Sequence, residues 1–342
     1  MKKISSFLSL LCVSLISLSC SFLVDHLVDP EPDVYVAGYA RDNKNNKVIA
    51  QYWKNDHSVE LMSAPSTNIL RAVSIAAVGK DVHVVGEIRG NIGGSTALYW
   101  KNGVLTNSWK NLDPASLTDI AISGSDVYIA GYGVDGSKNT IAAYWKNGEA
   151  ITVTDASKSR AHGIFISGND IYLAGIRGDG VGSDKAMYWK NGIPIELGNE
   201  PSRSWANAIA VIGNDVYVAG WRYNSQGLAV ARYWKNGVEV TLVDEKRESF
   251  AYDIAVSGSD VYICGAAASG ALVWKNGVLI DHPDGYEATG VAVANGNLYV
   301  AGSIPNYSQG TAAGKYWKNA NSVSLPSAPG VNGTTKIFVT NQ

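Results

Sequence analysis

The sequence predicts an all-β, seven-bladed β-propeller with four strands per blade, and three observations carry that prediction. The Trp of a YWKNG-like motif recurs as Trp53, Trp100, Trp145, Trp189, Trp234, Trp274 and Trp317, at intervals of 40 to 47 residues, which is the period of a four-stranded blade. A second motif, read as DVYVAG, ends at Gly38, Gly86, Gly131, Gly175, Gly220, Gly265 and Gly302. The third observation is the phase of the ends. The repeats open on Asp33 to Gly38 with no partner strand before them and close on Thr335 to Asn341, which aligns with that missing partner. The C-terminal strand is therefore expected to complete the first blade and close the ring, leaving no edge between first and last blades. A linear solenoid would need polar caps that the sequence lacks.

The unit from Leu117 to Val153 shows how each blade is built. Ile120 to Ile122 and Val127 to Ala130 are β-branched runs joined by Ser123-Gly124-Ser125-Asp126, which has the chemistry of a hairpin turn. After a variable loop, Ala143 to Lys146 reads as a third strand, and Asn147-Gly148 supplies two residues that tolerate positive φ in a type I′ turn. A fourth strand follows. Its alternation places Ile193, Ile195 and Leu197, or Val238, Val240 and Leu242, on the same face as the Tyr of the third strand. The Trp then faces the other side, so both faces carry large apolar groups, as stacked blades require.

Composition narrows the function classes. The chain has 342 residues, of which 46% are hydrophobic and 17% charged, with 36 Gly against 10 Pro, which suits a sizeable core and excludes disorder as the main state. A net charge of -2 offers no electrostatic footprint for nucleic acid or an anionic membrane surface. Three cysteines, two of them among the first 20 residues, make neither a disulfide framework nor a zinc site.

The N-terminus reads as an export signal. Lys2 and Lys3 precede an apolar, serine-rich run from Ile4 to Leu18, the length of a secretory h-region and too short to span a bilayer. Ser19-Cys20 resembles the lipobox of bacterial lipoproteins, in which the chain is cut before a Cys that is then diacylated, although Ser17 stands where that pattern prefers Leu. The expected organisation is a signal peptide over residues 1–19, a lipid-anchored tether over 20–32 containing Pro30 and Pro32, and the propeller over 33–342. The combination of YWKNG and SGSDVYVAG units after such a signal resembles a group of bacterial secreted or surface lipoproteins built of these repeats. That resemblance implies a propeller and an extracytoplasmic location, at the cell surface or in the periplasm, and implies no activity.

Most of the repeated residues read as structural. The seven Trp are expected to pack between blades. The Asp of the SGSD turn (Asp126, Asp170, Asp215, Asp260) is expected to shape its own hairpin through Asx bonding, and the Lys of YWKNG to lie along the rim. Cys264 replaces an Ala of the DVYVAG motif and reads as a buried small residue. The segment Gly178 to Asp184 resembles a Gly- and Asp-rich calcium loop but lacks the spaced ligands of an EF-hand. The five His show no zinc spacing, and no nucleophile elbow or phosphate loop is present. Neither a metal nor a cofactor is expected.

What the repeat leaves unexplained lies at the end of the ring that carries the variable loops. After the glycine of the second strand stand Tyr39, Tyr132 and Trp221, with Arg177 and Arg222 one position further in their own copies. Beside the first strand stand Trp109, Arg160, His162, Arg203, Trp205, Phe250 and Tyr252. Aromatic faces take sugars or side chains, and Arg takes carboxylates. The candidate ligand residues are Tyr39, Tyr132, His162, Arg177, Trp205, Trp221 and Arg222, with Cys20 as the lipidation site. The expected function is a monomeric, non-catalytic binding module for a glycan or protein, touching the membrane only through its lipid. The alternatives are a hydrolase or lyase with convergent funnel residues and a purely structural surface protein.

Overall fold

Seven four-stranded sheets hold the regular structure of the described residues, and every pairing within them is antiparallel. The computed structural model describes residues 31–90, 95–107, 109–178, 182, 184–198, 202–242, 246–281, 284–306, 311–326 and 330–340. The export signal and Cys20 lie outside the described residues. Asp33–Thr340 forms one compact unit, a seven-bladed propeller.

Strands are lettered a to d from the axis outward. Blade 1 consists of strand a Gly330–Val339, b Val34–Asp42, c Lys47–Lys54 and d His57–Pro65. The a strands of blades 2 to 7 are Ile69–Val78, Pro114–Ser123, Ser159–Ser167, Ser204–Ile212, Ser249–Ser257 and Glu287–Ala294. Each a strand touches the a strands on both sides of it, so the seven form a closed inner cylinder. The C-terminal strand closes the ring as expected: Val339 pairs with Val34 and Ile337 with Val36. Thr340 reinforces the join, its N–H donating to the Asp33 carbonyl at 3.0 Å while its Oγ1 accepts from the Asp33 N–H at 2.9 Å.

The seven strand-c Trp are 0 to 4% exposed and pack between blades. One cluster shows the pattern: Tyr172, Tyr188 and Leu197 of blade 4 meet Ile209, Val218 and Trp234 of blade 5. Burial of such groups supplies about 25 cal/mol per Å² of apolar surface, which makes the interblade layers the main source of stability. The outermost strand departs from the expected pattern. Ile193 and Val238, the first residues of their d strands beside the c to d turn, are 64% and 68% exposed, whereas Leu197 and Leu242 are buried. Cys264 is buried, as its place in the motif implies.

The c to d turn is the expected type, with Asn147 at φ 51° and Gly148 at φ 85°. The role expected of the SGSD aspartate needs correction. It bonds across to the next turn of the same blade: Asp126 accepts from Asn147 Nδ2 at 2.8 Å and pairs with Lys146 Nζ at 2.7 Å, while Asn147 Oδ1 accepts from the Val127 N–H at 2.9 Å. The Lys146 ammonium also lies 5.2 Å from the centre of the Tyr128 ring. The same clasp recurs at Asp170, Asp215 and Asp260, and Lys and Asn bonding holds these carboxyls below the usual Asp range. One interaction thereby explains why Asp, Tyr, Lys and Asn repeat together.

Candidate functional site

The glycine that ends each DVYVAG motif shapes the axis of the ring. A Cβ at Gly131 would stand 2.2 Å from the Ser116 carbonyl oxygen, and one at Gly220 only 1.9 Å from that of Trp205. Only Gly permits strand a to press this close, and just beyond the contact strand a bulges. The register shifts fall at Ala72/Ser74, Leu117/Asp119, Ala161/Gly163, Ala206/Ala208, Ala251/Asp253 and Ala288/Gly290, with a matching shift in blade 1. The bulged residues are Val73, Thr118, His162, Asn207, Tyr252, Thr289 and Thr335. All seven line one axial cavity.

Several of these side chains stitch neighbouring blades. Thr118 Oγ1 donates to the Ala161 carbonyl at 3.0 Å and Asn207 Nδ2 to that of Ala251 at 2.8 Å. Thr335 Oγ1 donates to the Ala72 carbonyl at 2.8 Å, and the Thr289 and Thr334 hydroxyls meet at 2.9 Å. His162 Nδ1 lies 2.8 Å from the Ala206 carbonyl. A carbonyl only accepts, so Nδ1 carries the proton and Nε2 of the neutral ring is an acceptor. Burial pushes the His162 pKa down, favouring that neutral form.

One residue further along the a strands lies a charged floor. Lys336 Nζ is 2.7 Å from Asp253 Oδ1 and 3.9 Å from Asp119 Oδ1, so one ammonium stands between carboxylates of two blades. Asp119 also accepts from Ser74 Oγ at 2.7 Å and from the Ile164 N–H at 3.1 Å. Asp253 accepts from the Val291 N–H at 3.0 Å. Burial raises the Asp253 pKa against the pull of Lys336. Burial also acts to lower the Lys336 pKa, but Asp119 and Asp253 together outweigh it and hold the ammonium above its ordinary value.

Above this floor the cavity holds about 460 Å³ and is also lined by Tyr39, Arg71 and Glu287. An aromatic band borders it across three blades. His162 stacks on Trp205 at 6.4 Å and 3°, Trp205 on Trp221 at 5.0 Å and 14°, and Phe250 on Tyr252 at 6.2 Å and 8°. Trp221 meets the Phe250 ring edge-on at 5.6 Å, completing the band. The two ends of the band, His162 and Tyr252, are themselves walls of the cavity.

No protein-family model matches this sequence, and no curated protein matches it. Among solved structures the chain is similar to a puromycin-hydrolysing peptidase of Mycobacterium tuberculosis, at 12% identity over 89% of this chain and 54% of that one, with a TM-score of 0.54. It is also similar to TolB from Acinetobacter baumannii, at 12% identity over 96% and 71% of the two chains and a TM-score of 0.49, and to the computationally designed Ika8 protein, at 15%, 88%, 90% and 0.47. The chain spans about half the length of the peptidase. The likeness to the peptidase is one of fold alone.

The seven candidate ligand residues separate into three groups. Tyr39 and His162 line the cavity. Tyr39 reaches it because blade 1 carries Gly333 at the rim, where a Cβ would lie 2.7 Å from the Tyr39 ring. Trp205 and Trp221 join through the aromatic band. Tyr132, Arg177 and Arg222 are engaged elsewhere: Arg160 lies 5.4 Å from the Tyr132 ring centre, Arg177 is 3.5 Å from Glu196, and Arg222 is 2.8 Å from Glu239. Strand alternation turns Arg222 away from Trp221, toward strand d of its own blade. Of the calcium-like segment, Asp184 is buried against Arg203 at 2.8 Å. Among the described residues no group of three or more His, Cys, Asp or Glu is placed to hold a metal ion.

The residues missed in the sequence are Val73, Thr118, Asn207, Thr289 and Thr335 of the bulge, together with the Lys336 floor. A signal for them existed. In blades 2 to 7 the bulged residue lies a constant 13 positions before the DVYVAG glycine, varying in identity between a nearly constant Ala one position before it and a constant Ile or Val two positions after it.

Proposed function

We propose that this protein is an exported, lipid-anchored, non-catalytic module that binds a glycan at the axial mouth of the propeller. The observation that carries the reading is the pairing of a polar cavity with an aromatic band along one side. Threonine hydroxyls, an amide and an imidazole acceptor suit sugar hydroxyls, and the stacked aromatic band, which reaches the cavity at His162 and Tyr252, supplies an apolar wall for the less polar side of a pyranose ring. The floor supports a binding role over hydrolysis, since Asp119 and Asp253 are each held by Lys336, by a main-chain N–H of the next blade and, for Asp119, by Ser74. Screening the propeller against a glycan array is expected to give hits that Trp205→Ala weakens about tenfold, the equivalent of about 1.4 kcal/mol. Arg222→Ala is expected to bind as the parent does, because its guanidinium belongs to Glu239. Equal binding by parent and Trp205→Ala, both folded, would place the ligand elsewhere.

Export and anchoring rest on Lys2, Lys3, the run to Leu18 and Ser19-Cys20. A single acyl pair at Cys20 gives stable membrane attachment. In a lipoprotein-competent host the parent is expected in the membrane fraction and Cys20→Ala in the soluble one, with the acyl mass on the N-terminal peptide as the decisive readout. An unacylated soluble parent contradicts the anchor and leaves the ligand site unaffected.

A further inference from the structure

The charges around the mouth do not balance locally. Arg71 is engaged with Glu87 at 2.9 Å and Arg89 holds the other oxygen of the same buried carboxylate at 2.8 Å. Lys336 is engaged with Asp253 and Asp119. Each cation lining the cavity is thus committed to acids of the fold, and so are the carboxylates Glu87, Asp119 and Asp253. Glu287 differs. Among the described residues its hydrogen-bond partner is the Ser303 hydroxyl at 3.5 Å and no cation pairs with it. It is half-buried at the rim, in the place that Arg71 holds in blade 2.

Its neighbours in the cavity sharpen the point. Tyr39, Glu287 and Tyr252 come from blades 1, 7 and 6, which are consecutive, so the acid stands between two aromatic residues facing one volume. Glu287 and Tyr252 are also close enough to interact, because burial and then the Glu287 charge push the Tyr252 phenol up to about 12. Burial raises Glu287 itself. A carboxylate without a cation, flanked by phenol rings, is the arrangement that recognises an organic ammonium by charge and by cation–π attraction. A divalent metal fits poorly, since among the described residues no group of three or more His, Cys, Asp or Glu is placed to hold one.

We infer that the mouth selects an amino sugar with a free ammonium group, held by Glu287 between Tyr39 and Tyr252 while the ring lies toward Trp205 and His162. This rests on the glycan reading above and names its ligand class. The geometry is bipartite: the ammonium takes the side of blades 6, 7 and 1, and the hydroxyl-bearing face takes the side of blades 4 and 5.

The test compares glucosamine, N-acetylglucosamine and glucose by calorimetry and tryptophan fluorescence on the intact propeller, with methylammonium as a probe that carries the charge alone. Glucosamine is expected to bind at least tenfold more tightly than the two neutral sugars, and Glu287→Gln, which keeps the size of the side chain, is expected to erase that preference. Tyr252→Leu is expected to weaken glucosamine as well. Equal affinity for glucosamine and N-acetylglucosamine, or an unchanged preference in Glu287→Gln, overturns the ammonium site and leaves the glycan reading standing. Perturbation by methylammonium in the parent but not in Glu287→Gln, with no sugar bound, supports the ammonium site and overturns the glycan reading. No response to any of the four probes overturns both.

Discussion

Deleting residues 334–342 is expected to abolish the folded monomer. The cut removes most of strand a of blade 1, including Ile337 and Val339, which are 3% and 7% exposed and contribute about 1.5–3 kcal/mol each by burial. It also removes the ladder pairs of this segment to Val34, Tyr35, Val36, Ala37 and Gly38, each bond contributing about 1 kcal/mol. The Thr335 bond to the Ala72 carbonyl is lost with them. The sum rivals the roughly 5–15 kcal/mol that separates a typical domain from its unfolded state. What remains of blade 1 exposes the edge of Val34–Asp42, a template for pairing with another chain. Size-exclusion chromatography should therefore find aggregate, and circular dichroism no cooperative melt near that of the parent. Adding a synthetic peptide of residues 330–342 in trans is expected to restore part of the monomer, a rescue that a general loss of solubility would not show. A truncated protein that stays monomeric and melts with the parent contradicts the closure.

The contrast between what was readable in the sequence and what was not follows from the repeat itself. Seven copies of Trp and Gly average away local accidents, so the blade, its turns and the closing strand could be read from spacing alone. The clasp around Asp126 was misassigned because a turn residue has two partners within reach, its own backbone and the neighbouring c to d turn, and sequence distance favours the nearer. Side-chain direction was the harder problem. Trp221 and Arg222 are adjacent, yet alternation sends one to the aromatic band and the other to Glu239. The bulge was the hidden step: one inserted residue per a strand shifts the facing pattern, so Thr118 and Tyr252 face the axis where plain alternation assigns no such role. Lys336 went unnoticed since its partners, Asp119 and Asp253, lie two blades away on either side, a proximity that only ring closure creates.

Lys336→Met is expected to destabilise the ring by about 2–4 kcal/mol at neutral pH, somewhat less than the 3–5 typical of a wholly buried broken pair, because a quarter of the lysine side chain still meets solvent. Methionine keeps the length of the side chain, so the loss reports the charge and its bonds. It leaves Asp253, nearly fully buried, with only the Val291 N–H, and it removes the attraction that opposes desolvation of that carboxylate. The sign with pH is fixed by linkage. Asp253 already titrates above its ordinary value of 3.8 in the folded parent, and without the ammonium it is driven higher still. Between that raised folded pKa and the unfolded value the native variant binds more protons than the unfolded chain, so its stability rises as pH falls through the folded pKa of Asp253, and the gap to the parent narrows. The parent behaves differently at the basic end. Its Lys336 is held above 10.5, so the contribution of the ammonium is fully present below that value and is lost only as pH rises through the folded pKa. Urea melts at pH 5 and pH 8 on the parent, Lys336→Met and the double variant Lys336→Met with Asp253→Asn check the assignment. The double variant is expected to recover at least half of the loss at pH 8, since a neutral amide needs no cation. Equal stabilities for parent and Lys336→Met at pH 8, or a gap that widens toward pH 5, would mean that the axial charges do not hold the blades in register.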